Sequence, residues 1–201
     1  MKKDLIFKYL GYRNVTPDEL TLKLIDECIS EIESLSKFKY YWQEYDEILP
    51  FLKENNNYLS YLDGATSYIL VGTTLGIDID RRMRQYEKID TLKALIFDCC
   101  ASAYIEEMAD SFESSLPFNN MSYRFCPGYC GTSFLDNQII AKYINASKNL
   151  GINFLSSGLM VPLKSMIGIV AIGNKQRKTC ANCIMLTSCN YRKAKTTCYK
   201  K

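Results

Sequence analysis

The chain has 201 residues, 47% hydrophobic and 23% charged, with a formal net charge of +3, nine cysteines and no histidine. That size and balance describe one globular domain, or one domain with a small appendage, long enough to bury a core. The missing histidine excludes Ser-His-Asp and Cys-His nucleophile pairs, histidine metal ligation and the usual neutral-pH general base, and so favours binding and positioning over proton-transfer catalysis.

Charge is unevenly spread. Residues 174–201 carry Lys175, Arg177, Lys178, Arg192, Lys193, Lys195, Lys200 and Lys201 and no acid; taking that +8 from the total +3 leaves −5 on the body. A mildly acidic body with a basic tail is not the pattern of a nucleic-acid binder, whose basic face sits on the folded domain. Met1-Lys2-Lys3-Asp4-Leu5 has too short an apolar run before Lys8 for a secretory signal. No stretch reaches the ~18 apolar residues of a membrane span. The richest, 150–173, is broken by Asn153, Ser156, Ser157, Pro162 and Lys164. The expectation is a cytoplasmic protein with reduced thiols.

In chain order, Thr16-Pro17-Asp18-Glu19 reads as a capping box with Pro at the first helical position. It opens a helix of about 17–36 with Leu20, Leu24, Cys28, Ile32 and Leu35 on one face and Ile25 and Ile29 beside them, Cys28 being core. Phe38, Tyr40, Tyr41, Trp42 and Tyr45 favour a strand over 38–48. Asn55-Asn56-Asn57 is a turn or cap before a short helix to Leu62. Tyr68-Ile69-Leu70-Val71 reads as a buried strand ending at Gly72. Thr73-Thr74-Leu75-Gly76 then turns the chain into a helix whose Asp80, Arg81, Arg82, Arg84 and Glu87 form a solvated face, docking on an acidic partner being the alternative.

Asp90 caps the next helix, about 91–115, with Leu92, Leu95, Ile96, Cys99, Ala103 and Met108 inward and the small residues Ala101, Ser102 and Ala103 permitting close packing. Pro117, Asn119 and Asn120 break the chain before a strand. Asp136 caps a helix of about 136–148 with Ile139, Ile140, Tyr143 and Ile144 inward. Phe154 and Leu155 begin a strand, an irregular loop follows through Pro162, and 165–172 form a last buried strand ended by Gly173. Helices and antiparallel-capable strands mix without βαβ alternation, which makes the fold class α+β.

Between these elements lies Arg124-Phe125-Cys126-Pro127-Gly128-Tyr129-Cys130-Gly131. Pro127 fixes its φ and lacks a donor, Gly128 permits close approach or positive φ, Arg124 offers a planar fork suited to a carboxylate, and Tyr129 a ring face suited to a base or a cation. Such a set can hold a small zwitterion carrying an aromatic base, or it is a β-turn beside a solvated Arg.

Arg124-x-x-Pro127-Gly128-Tyr129 resembles the S-adenosylmethionine-binding motif of the reactivation domain of cobalamin-dependent methionine synthase. Gly151-Ile152-Asn153-Phe154-Leu155-Ser156-Ser157-Gly158-Leu159-Met160-Val161-Pro162 and Lys164-Ser165-Met166-Ile167-Gly168 are similar to that family's later segments. Tyr9-Leu10-Gly11-Tyr12-Arg13 and Thr74-Leu75-Gly76 resemble its stand-alone bacterial members. The resemblance spans most of residues 5–173. It implies a C-shaped α+β domain with a twisted antiparallel sheet flanked by helices, over 1–173, with 174–201 as an appended tail. It further implies binding of S-adenosylmethionine by Arg124 (carboxylate), by the backbone near Pro127, Gly128 and Tyr129 (adenine and sulfonium), and by Glu106 (ammonium). Glu106 lies in Ala101-Ser102-Ala103-Tyr104-Ile105-Glu106, with Glu107 adjacent and a surface helix glutamate as the alternative. The implied activity is support of reductive methylation of the cobalamin of a partner, either a methionine synthase core or another corrinoid protein, with an electron donor such as flavodoxin or ferredoxin. The residues after Tyr129, Cys130-Gly131-Thr132-Ser133, lack the family's acidic and histidine residues, and the resemblance does not place a second acid from the family's N-terminal region.

Cys180-Ala181-Asn182-Cys183 forms a C-x2-C knuckle, followed by Cys189 and Cys198. Four thiolates in a short polar segment suit tetrahedral zinc or an iron–sulfur cluster; a reduced tail without metal and disulfides are the alternatives. A cluster would make the chain a redox protein delivering electrons to a corrinoid enzyme, and loss of ligand would make it a non-catalytic adaptor. Cys126 and Cys130, on either side of Pro-Gly-Tyr, read as pocket packing.

Overall fold

The structure is a computed structural model and describes residues 3–12, 15–174, 180, 187–193 and 197. The elements are α1 (Lys3–Tyr9), α2 (Glu19–Leu35), β1 (Lys39–Tyr45), α3 (Pro50–Lys53), α4 (Asn56–Leu62), β2 (Ser67–Thr74), α5 (Ile77–Ile89), α6 (Thr91–Ser114), α7 (Asp136–Tyr143), α8 (Ala146–Leu150), β3 (Asn153–Phe154), β4 (Met160–Val161), β5 (Ser165–Ile172) and α9 (Asn190–Lys193). The fold is α+β. Strands pair in the order β1-β2-β5, and β3 and β4 form a separate antiparallel pair with Asn153 opposite Val161 and Phe154 opposite Met160.

The chain divides into two compact units, the first from Met1–Tyr41, Thr73–Leu116 and Ala146–Met166, the second from Trp42–Gly72, Pro117–Asn145 and Ile167–Lys201.

In the first unit α1, α2 and α5 pack on α6. Ile25, Cys28 and Ile32, spaced three and four apart on α2, meet Ile79 and Met83 of α5 and Phe97 and Cys100 of α6 in one cluster. Burial pushes the Cys28 thiol up to about 11, so it behaves as a small apolar core residue. The helix begins later than its sequence suggests: Asp18 is the N-cap, its carboxylate accepting the Thr21 N–H at 2.9 Å, and Pro17 stands outside the helix. The stripe of Ile25, Cys28 and Ile32 runs back toward Thr21 and Leu22, which leaves Leu20 65% exposed instead of inward.

Asp90 caps α6 as expected, accepting the Lys93 N–H at 2.9 Å. Ala101 and Ala103 are buried at the close contacts their size permits, but Leu92 and Leu95 are exposed. Apolar residues surround this helix, and Ala94 and Phe97 take the inward face instead. Asp80 is a further correction. It is 1% exposed rather than part of a solvated face, and its Oδ2 accepts the Leu163 N–H at 2.7 Å. Arg81, Arg84 and Glu87 do face solvent.

In the second unit Asn55 caps α4 through the Asn57 N–H, at 2.9 Å, and buries Tyr58, Tyr61 and Leu62. Strand β2 continues through Gly72 to Thr74. The helix expected over 136–148 breaks at Asn145, whose φ of 50° belongs to the left-handed region that asparagine tolerates. Asp136 caps nothing there: it is the first residue of α7, and its carboxylate accepts the Tyr58 hydroxyl at 2.7 Å. Ile140 and Ile144 are buried, whereas Ile139 and Tyr143 are partly exposed. Strand β5 occupies 165–172, as its apolar run and Gly173 indicate.

Candidate functional site

The strand expected before the Pro-Gly-Tyr turn does not form. Residues 122–125 instead run along β5 by isolated pairings: the Ser122 N–H donates to the Ala171 carbonyl at 2.9 Å, and Phe125 and Ile169 exchange N–H···O bonds at 2.8 and 2.9 Å. Side chains supply what a regular ladder would have supplied. The Tyr61 hydroxyl donates to the Tyr123 carbonyl at 2.5 Å, lies 3.2 Å from the Ile169 carbonyl, and accepts the Ala171 N–H at 3.1 Å. Phe125 is buried between the rings of Tyr58 and Tyr61, with centroids 5.5 and 5.0 Å away. Burial, then the bond to Asp136, pushes the Tyr58 hydroxyl well above its ordinary range, which keeps it a donor at any working pH.

This pairing settles the environment of Arg124. It is 8% exposed, not a solvated arginine beside a turn. A Cβ on Gly168 would stand 2.8 Å from Arg124 Cγ and 3.0 Å from the Phe125 carbonyl oxygen, so the arginine stem crosses β5 where only glycine leaves room. Gly168 is therefore part of the site. Its only sequence signal was membership of the Lys164-to-Gly168 segment.

The turn that follows is closed on itself. Pro127 is buried; Gly128 has φ 96° and is exposed, as is Tyr129; Cys130 and Gly131 also take positive φ, at 51° and 77°. Thr132 ties the loop: its hydroxyl accepts the Gly128 N–H at 3.1 Å and donates to the Tyr129 carbonyl at 2.7 Å, which also accepts the Thr132 N–H at 3.1 Å. Asn55 Nδ2 donates to the Gly131 carbonyl at 3.3 Å, which pins the far side of the loop to the cap of α4. Sequence spacing marked Arg124, Pro127, Gly128 and Tyr129, and the second unit holds all four within this one segment. Thr132 and Tyr61 escaped notice, because an isolated hydroxyl in a loop or on a short helix carries no motif.

Glu106 lies on α6 of the first unit and is half-buried, while Glu107 beside it is exposed. Cys126 and Cys130 are half-buried. Of the four tail cysteines, Cys180 and Cys189 are half-buried, and Cys183 and Cys198 lie outside the described residues. Among the described residues no group of three or more metal-ligating side chains comes together, and no helix is long and apolar enough to cross a membrane.

No family model and no curated protein matches this sequence. Among solved structures, the crystal structure of the MetH reactivation domain bound to AdoHcy is similar to it, with a TM-score of 0.63 over 86% of this chain and 74% of that one at 14% identity. At that identity the likeness is one of fold.

Proposed function

We propose that this chain binds S-adenosylmethionine and supports the reductive methylation of cobalamin held by a partner corrinoid protein, with electrons from a donor such as flavodoxin or ferredoxin. The observation that carries the reading is Arg124, buried where it crosses β5 at Gly168 and leads directly into the Pro127-Gly128-Tyr129 turn. Two facts support it: the sequence resemblance centred on these residues, and a fold shared with a domain whose structure contains AdoHcy.

A guanidinium on a stem held by packing loses little side-chain freedom when it meets a carboxylate, so Arg124 is suited to fix the ligand's amino-acid end by a bidentate pair. The fixed φ of Pro127 and the Thr132 clasp hold the adjoining turn in one geometry before ligand arrives, which lowers the ordering cost of binding. S-Adenosylmethionine supplies an electrophilic methyl group, and reduced cobalt in the partner supplies the nucleophile. The contribution of this chain is to bind and orient, the proximity part of the barrier. The assignment of Glu106 to the ligand ammonium rests on the sequence resemblance alone, and a zinc or iron–sulfur centre at Cys180, Cys183, Cys189 and Cys198 on their spacing alone.

Anaerobic titration calorimetry with S-adenosylmethionine tests the reading. Arg124→Ala should weaken binding by about 1.5–3 kcal/mol, the range for a hydrogen bond to a charged group. Arg124→Lys, which keeps the charge and loses the fork, should recover only part of it. Glu106→Gln in the same titration tests the ammonium assignment. A folded wild-type protein that binds no S-adenosylmethionine would reduce the likeness to one of fold.

A further inference from the structure

Six aromatic rings of the second unit form an unbroken line. Centroid to centroid, Tyr123 lies 5.3 Å from Tyr61, Tyr61 5.0 Å from Phe125, and Phe125 5.5 Å from Tyr58. Tyr58 then lies 6.1 Å from Phe51, and Phe51 5.7 Å from Tyr143. Rings at such spacings are in contact. Both ends of the line reach the surface, since Tyr143 is 37% exposed and Tyr123 is half-buried. Burial, and then the nearby Cys130 thiol, raises the Tyr123 phenol above its ordinary range.

Packing alone would be served by phenylalanine at position 58. Tyr58 is 1% exposed, so its hydroxyl is a cost unless a partner accepts from it. That partner is a carboxylate, with Asp136 Oδ2 at 2.7 Å. The Tyr61 hydroxyl, on the same face of α4, donates to the Tyr123 carbonyl, which satisfies a donor but is too weak a base to take its proton. The difference matters on oxidation. A phenol that loses an electron becomes a strong acid and must release its proton, and a carboxylate within hydrogen-bond reach can accept it. Phe125 and Phe51 are much harder to oxidise than tyrosine and act as bridges between the phenols.

We propose that Tyr58 is a redox-active tyrosine, with Asp136 as its proton acceptor, in a relay that carries electrons from Tyr143 to one-electron oxidants arriving at Tyr123. The oxidants are of the class of thiyl and peroxyl radicals. In the first step the oxidant is reduced by one electron drawn from Tyr58. The Tyr58 O–H bond breaks and its proton moves to Asp136 Oδ2, leaving a neutral phenoxyl beside a carboxylic acid. In the second step a solution reductant such as ascorbate or a thiol gives one electron through Tyr143, and the proton returns from Asp136 to Tyr58. The reductant has lost one electron, the oxidant has gained one, and the protein is unchanged. This function does not depend on ligand binding at the turn.

The test is flash oxidation of the full chain by photogenerated tris(bipyridine)ruthenium(III), with radicals followed by transient absorbance and high-field EPR. The chain has 15 tyrosines, and the EPR g-values separate a phenoxyl hydrogen-bonded by a carboxylic acid from the rest. The wild type should form that radical, and Tyr58→Phe should lose it. Asp136→Asn, which keeps a polar side chain and removes the base, should slow its formation about a hundredfold, the low end for general-base catalysis. Asp136→Glu should restore the rate, and Tyr143→Phe should lose quenching by ascorbate. A Tyr58–Asp136 pair that only holds the fold would lower stability in these variants without moving the radical readouts. A wild type without the hydrogen-bonded signal, the same signal in Tyr58→Phe, or wild-type formation in Asp136→Asn would overturn the assignment. Unchanged quenching in Tyr143→Phe would overturn the relay.

Discussion

The two units solve the same problem with different chemistry. The first is held by helices whose backbone groups satisfy one another, so what remains to be supplied is an apolar stripe: Ile25, Cys28 and Ile32 against Ile79, Phe97 and Cys100. The second carries an irregular segment, 117–135, whose backbone groups cannot all be satisfied by regular pairing. Tyrosine, threonine and asparagine side chains complete that accounting, with the Tyr61 hydroxyl alone serving Tyr123, Ile169 and Ala171. The difference teaches where to look for function. The aliphatic unit tolerates exchange of one apolar residue for another of like volume, whereas the Tyr61 and Thr132 hydroxyls of the other are tied to particular backbone atoms on either side of Arg124.

The largest effect that would test this contrast is Phe97→Ala. Phe97 is fully buried among α2, α5 and α6, and its truncation should cost about 3–5 kcal/mol in urea denaturation. A loss below about 1 kcal/mol would mean the helical core collapses around the gap and is less tightly packed than its burial indicates.

Next in size is Tyr61→Phe, which keeps the ring and strands the buried backbone groups its hydroxyl served. About 1–3 kcal/mol is expected, together with faster hydrogen exchange at the Ala171 amide. A neutral result would break the claim that hydroxyls hold this unit together.

The smallest effect concerns the exception inside the first unit, Asp80. Burial raises its carboxyl above the ordinary range, against the lowering effect of the Leu163 and Lys164 N–H groups and of Arg84 and Lys164. Its Oδ1 has no hydrogen-bond partner among the described residues. The native state therefore keeps this proton at pH values where the unfolded chain has released it. The stability it contributes is full below the unfolded carboxylate pKa and is lost as pH rises through the raised native value. Asp80→Asn retains an acceptor for the Leu163 N–H and should flatten that slope. Denaturation midpoints measured at pH 4 to pH 7, roughly the span in which such a carboxyl titrates, provide the comparison. A slope unchanged in the variant would place the titration elsewhere.

Much of the fold was legible because it is local. Asp90 and Asn55 cap their helices as isolated caps do, the aromatic run gives β1, and the apolar stretch closed by Gly173 gives β5 over its full length. The candidate site was legible only as a motif. Arg124, Pro127, Gly128 and Tyr129 stood out by residue type and spacing, while Gly168, Tyr61 and Thr132 did not, because their roles arise from atoms 3 to 110 positions away in the chain.

What the sequence by itself determined is the class of fold and the residue types at the turn, since periodicity, caps and the φ restrictions of proline and glycine act within a few residues. Which apolar residues are inside was decided by tertiary packing. On a helix apolar all round, only the neighbours choose a face, and they chose Phe97 over Leu92 and Leu95. Tertiary structure also decided the fate of charge. Asp80 read as part of a solvated face, and Arg124 as either a ligand-binding fork or a solvated arginine, until a loop N–H at Leu163 and the missing Cβ of Gly168 gave each a buried place. Burial of a polar group depends on a partner distant in sequence, and no local pattern encodes that partner.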